Sequence, residues 1–189
     1  MSKPKITISF NAPVTLCFAF LALAALLLGP ATGGWTTNRL FMVYPASFRD
    51  PLTFVRLFCH VLGHSGYSHY MGNMLYILLL GPGIEEKYGS GRMVTFILIT
   101  ALVTGAFHMI FGAGGLMGAS GIVFMLIVLS SFTSVKQGEI PLTAILVLVL
   151  YLGQEIINGV TAIDSISQIT HIIGGATGFI FGLTSKGRH

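Results

Sequence analysis

A serine set among small residues, Gly118-Ala119-Ser120-Gly121, stands at the mouth of an apolar segment, and about fifty residues later a lone histidine, His171, opens another. A serine hydroxyl is a weak nucleophile until a base within about 3 Å takes its proton. His171 is the candidate base. His69 and Asn73 are four residues apart on a third apolar segment and so share one helical face. With the Ser120 backbone N–H they could donate to an oxyanion, as acyl transfer requires. The same residues also suit a plainer account, in which glycines pack helices, Ser120 bonds back to its own helix, and His69 and Asn73 satisfy a buried polar network. Ionisable and polar groups inside a membrane nonetheless cost free energy and are functional candidates.

No carboxylate is well placed to complete a triad. Asp164 lies outside the last apolar segment, Asp50 belongs to a long loop, and Glu155 sits near one end of the fifth segment, more suited to a water-filled opening. A Ser120–His171 dyad is therefore the expected machinery. Metal chemistry is the weaker reading, because His60, His64 and His69 form no His-Glu-x-x-His pattern and have no convincing carboxylate ligand among them. His60 and His64 read as structural or head-group hydrogen bonders, His108 as interfacial, and no cofactor or metal is expected. Cys17 and Cys59 support neither a disulfide nor a thiolate site.

The elements that must hold these residues are membrane helices. Of 189 residues 53% are hydrophobic and 8% charged, against about 25% charged in soluble domains. Six apolar spans run roughly over 12–30, 68–84, 93–111, 119–133, 141–158 and 168–184. A simple crossing needs about 20 residues, so the fourth is short, as suits a helix shielded by protein beside a polar cavity. The first span reads as a retained helix rather than a cleaved signal. With the N-terminus cytoplasmic, Lys3, Lys5, Lys87, Arg92, Lys136, Lys186 and Arg188 face inward and only Arg39, Arg49 and Arg56 outward, a seven-to-three bias that places both termini inside. Ser120 and His171 then enter from the outer face. Residues 31–67 read as short interfacial helices, and residues 85–92 as a tight polar turn. The expectation is one domain over 1–189 with a transmembrane core of about 12–184. The scattered basic residues exclude a nucleic-acid partner.

These motifs resemble the rhomboid family of intramembrane serine proteases, in particular its minimal six-helix bacterial form, the GlpG-like proteins. The carriers are Gly118-Ala119-Ser120-Gly121, His69 and Asn73 within the stretch 64–73, His171-Ile172-Ile173-Gly174-Gly175, and Glu85 with Gly89-Ser90-Gly91. The resemblance covers about residues 12–184. It implies an all-α polytopic membrane protein, a six-transmembrane-helix rhomboid-like bundle of the bacterial inner membrane, cleaving single-pass transmembrane proteins near the outer ends of their spans. It also implies lateral substrate access beside the fifth helix, with Leu152 and Ile156 lining the gate, and an amide at Gln168 that assists the oxyanion site. Two positions depart from the family pattern. Phe124 stands where a tyrosine often stacks on the histidine, and Val55-Arg56 replaces a Trp-Arg pair, leaving Arg56 to anchor the loop with the aromatic contribution lost or supplied by Phe58. A non-catalytic rhomboid-like protein that binds transmembrane helices is the alternative. A small transporter fits less well, since there is no inverted repeat or charged pathway.

Overall fold

A computed structural model of the chain describes residues 9–136, 139–161 and 165–187. The described residues are all-α: α1 (Pro13–Ala31), α2 (Trp35–Leu40), α3 (Leu52–Cys59), a 3₁₀ turn at His60–Leu62, α4 (Tyr67–Tyr88), α5 (Ser90–Phe111), α6 (Ser120–Ser130), α7 (Leu142–Thr161) and α8 (Ser165–Thr184). Two of them, α1 and α5, are long and apolar enough to cross a membrane. Large apolar side chains face outward along the long helices. Leu79 of α4 is 71% exposed and Leu150 of α7 is 73%, with Leu75, Val94, Leu98, Leu146, Val149 and Ile180 also open. Such a surface is the inverse of a water-facing helix, which puts its charges there. This is a membrane protein.

The expected polar turn over 85–92 is far shorter in the structure. Helix α4 continues to Tyr88 and α5 starts at Ser90, leaving Gly89 alone between them at φ +85°, in the left-handed region that favours glycine. Glu85 accounts for the continuation. Its carboxylate accepts the backbone N–H groups of Val14 and Thr15 at 2.9 Å each, and the hydroxyls of Thr15 and Ser90 at 2.8 Å each. One buried anion thus satisfies orphan donors in the first turn of α1 and ties α4 to the start of α5.

Helix α6 is the axis of the packing. Gly121, Ile122, Val123, Met125, Leu126, Val128 and Leu129 are all buried, and α6 lies most extensively against α8 and next against α4. It has 11 residues where α4 and α5 have 22. The ends away from Ser120 are level, because the Lys87 ammonium of α4 donates to the carbonyls of Phe132, Thr133 and Val135 just past α6, at 2.6, 2.8 and 3.2 Å. The shortness of α6 is therefore all at its Ser120 end, where residues 112–119 form a loop. That loop is stitched to the segment between α2 and α4: Val43 and Leu116 exchange two backbone hydrogen bonds, and the Gly118 N–H donates to the His60 carbonyl at 3.0 Å.

The 31–67 segment carries short helices and is anchored by Arg56, as expected, but the aromatic partner of Arg56 is a different one. Arg56 is only 1% exposed; its Nη2 donates to Asp50 at 2.6 Å and to Thr53 Oγ1 at 3.0 Å. The guanidinium lies 4.7 Å from the centre of the Tyr44 ring. Tyr44, not Phe58, supplies the aromatic partner, and Phe58 is left exposed on α3. The Arg56 hydrogen bond, reinforced by the Leu52 N–H, holds the Asp50 carboxyl below its usual range.

Candidate active site

Ser120 is the first residue of α6, while α8 begins at Ser165, so His171 lies in the second turn of its helix rather than at the mouth. The Ser120 hydroxyl and His171 Nε2 share a hydrogen bond of 2.9 Å. The seam between α6 and α8 brings them together. A Cβ placed on Gly174 would meet the Gly121 carbonyl and come within 2.9 Å of the Gly121 Cα; one on Gly178 would meet the Met125 carbonyl and come within 3.0 Å of the Met125 Cα. Backbone here rests on backbone, which only glycine allows. Gly182 continues the row against the Phe132 ring. The Phe124 ring, one helical turn beyond Ser120, lies 4.9 Å from the His171 ring at 41°.

The second polar pair approaches from α4. Gly118 has φ +134°, and a Cβ there would fall 2.8 Å from His69 Nε2 and 3.9 Å from Asn73 Nδ2. Glycine is required at 118 both by backbone conformation and by the imidazole lying on it. Both donors therefore face the turn two residues before the nucleophile. Asn73 is buried, and its Nδ2 has no hydrogen-bond partner among the described residues. A buried donor left open is costly unless something arrives to accept from it. The Ser120 N–H, at the first position of α6, has no intrahelical acceptor and sits at the positive end of the helix dipole. Gln168, three residues before His171, likewise has a buried Oε1 with no partner among the described residues. Leu152, Glu155 and Ile156 fall on α7, with side chains outside the described residues, and Asp164 also lies outside them.

Three further histidines, His60, His64 and His108, bond to backbone carbonyls. His60 is buried, and its Nδ1–H donates to the carbonyls of Arg56 and Leu57 at 3.2 Å each. His64 donates from Nδ1 to the Leu62 carbonyl at 3.1 Å and packs edge-on against the rings of His69 and Tyr70. His108, in the last turn of α5, is buried against the protein and bonds through Nε2 to the Gly114 carbonyl at 3.1 Å, holding the loop after α5. Among the described residues no cluster of three metal-ligating side chains occurs.

Burial pushes the pKa of His60, and likewise that of His64, down to about 4. Both rings are then neutral in the folded protein, while an unfolded chain binds protons near pH 6.5. Below that value the unfolded state holds more protons, so stability is complete above about pH 6.5 and declines toward pH 4. Detergent-solubilised protein should unfold at a lower temperature near pH 5 than near pH 7.5, with a loss on the order of 2 kcal/mol per ring. A melting midpoint flat across that interval would contradict the assignment of two buried neutral rings.

Fold and site together define an all-α membrane protein that holds a serine–histidine pair against two further polar side chains among its helices. The family model described as the Rhomboid domain matches residues 51–187, a range that contains every one of these side chains. The chain belongs to the rhomboid family.

Proposed function

We propose that this protein is an intramembrane serine endopeptidase working through a Ser120–His171 dyad. The observation that carries the reading is the 2.9 Å contact between the Ser120 hydroxyl and His171 Nε2. As Ser120 Oγ attacks the scissile carbonyl carbon, its proton passes to His171 Nε2. The carbonyl oxygen becomes an oxyanion, for which the Ser120 N–H, Asn73 Nδ2 and His69 Nε2 are the candidate donors, with Gln168 beside them. Collapse breaks the C–N bond, and the proton on His171 goes to the departing amine. Water deprotonated by His171 then hydrolyses the acyl ester and regenerates the serine. Phe124 limits the tilt of the imidazole through ring contact alone.

The proposed frame is one domain of six membrane-spanning helices, α1 and α4 through α8, with both termini cytoplasmic and the dyad opening toward the outer side of a bacterial inner membrane. Substrates are single-pass membrane proteins that approach from the lipid beside α7, where Leu152 and Ile156 are placed as the gate. The exposed Trp35 and Phe54 on α2 and α3 suit a segment resting at the lipid boundary.

A fluorophosphonate probe tests the dyad directly. Folded wild-type protein should label at Ser120, and His171→Ala should lose the label. A folded protein that neither labels nor cleaves a reconstituted single-span substrate is instead a helix-binding, non-catalytic rhomboid. Asn73→Ala should lower kcat by roughly 10²-fold with the fold retained, as removal of one oxyanion donor does elsewhere. Unchanged kcat in that variant would remove Asn73 from the oxyanion site.

A further inference from the structure

Ser65, to which no role has yet been given, bears on where the proton of His69 sits. Ser65 precedes α4 and faces the imidazole of His69: its Oγ lies 3.1 Å from His69 Nδ1, and its backbone N–H lies 3.5 Å from the same atom. An amide N–H can only donate. Two groups converging on Nδ1, one of them an obligatory donor, leave that nitrogen as the acceptor, and the Ser65 hydroxyl turns its own hydrogen toward it. A neutral imidazole that accepts at one nitrogen carries its proton on the other. Nε2–H is thus the donor, and Nε2 is the atom seated against Gly118 beside Asn73 Nδ2.

We infer that Ser65 is a positioning residue, which locks the His69 tautomer so that Nε2–H faces the position of the developing oxyanion. The inference rests on the serine-protease reading above and adds a residue to it. With the tautomer reversed, His69 would offer a lone pair to a negatively charged oxygen and repel it. A plain helix-capping role for Ser65 is the competing account, since residues at this position often close the first turn of a helix. The two accounts differ in what they move. Capping affects stability, whereas tautomer control affects the rate of the chemical step while leaving substrate binding alone. Ser65 is exposed, so truncation to alanine removes a hydroxyl without opening a cavity in the core.

The experiment uses the full chain in liposomes with a single-span substrate, together with nitrogen-15 spectra of histidine-labelled protein in detergent. Ser65→Ala should lower kcat by about tenfold with KM unchanged, a partial version of losing an oxyanion donor outright. Ser65→Thr, which keeps the hydroxyl, should restore the rate. The His69 spectrum should show Nε2 protonated in the wild type and a mixture of tautomers in Ser65→Ala, because the backbone N–H that remains lies 3.5 Å from Nδ1, too far to hold the tautomer without the hydroxyl. An active wild type whose Ser65→Ala variant keeps its kcat, or keeps a single Nε2–H tautomer, overturns the role of Ser65 alone. A wild type that neither cleaves nor labels with fluorophosphonate overturns the protease reading, and this inference with it.

Discussion

Replacing Ser120 with alanine should abolish cleavage of a reconstituted single-span substrate, and His171→Ala should do the same, each by roughly 10⁴-fold or more. In the proposed mechanism the two groups act on one proton, so the double variant should be scarcely worse than either single one. The fold should survive, because Ser120 keeps its place in α6 without the hydroxyl and His171 is only partly buried. Product formation over time by purified protein is the measurement, with thermal unfolding as the control for folding. Cleavage that persists in Ser120→Ala would reject this serine as the nucleophile.

The other large effect is expected far from any proton. Gly174→Ala or Gly178→Ala inserts a methyl group where α8 backbone touches the carbonyls of Gly121 and Met125. Overpacking of this kind usually costs about 1–3 kcal/mol, and a backbone obstacle cannot rotate away as a side chain can. Any relief must come from α6 and α8 moving apart, which draws His171 away from Ser120. Activity should therefore collapse even in preparations that remain folded, because a misplacement of about 1 Å is enough to cost 10²-fold. Melting temperature and fluorophosphonate labelling, read side by side, separate the two losses. Wild-type labelling and stability in Gly174→Ala would show that the seam is looser than its geometry states.

These two sites are also the most legible in sequence, for different reasons. The glycines of α8 repeat every fourth residue, a period that by itself marks one helical face. Ser120, His171, His69 and Asn73 are chemically conspicuous among apolar neighbours, and their order along the chain resembles a known family. Contacts without a period are the ones that sequence does not reveal. Glu85 reaches the first turn of α1 some seventy residues away, and no local pattern near Val14 or Thr15 announces an acceptor. Tyr44 meets Arg56 through the path of a loop, whereas proximity along the chain favours Phe58 as the aromatic partner. His108 sits near a helix end, and nothing in the sequence announces that the loop at 112–114 folds back and gives it a carbonyl partner. Ser65 carries no signal, since one hydroxyl before a helix is commonplace.

The 11 residues of α6 correspond to about 16 Å of helix, whereas the 22 of α4 correspond to about 33 Å. With their far ends held level by Lys87, this difference in length becomes a ruler for the substrate. A spanning segment that presents a bond to Ser120 keeps on the far side only about 11 residues of helix, where a stable crossing needs about 20. In the proposed reaction the short central helix thereby sets how far into the bilayer a substrate's backbone must reach before a bond meets Ser120.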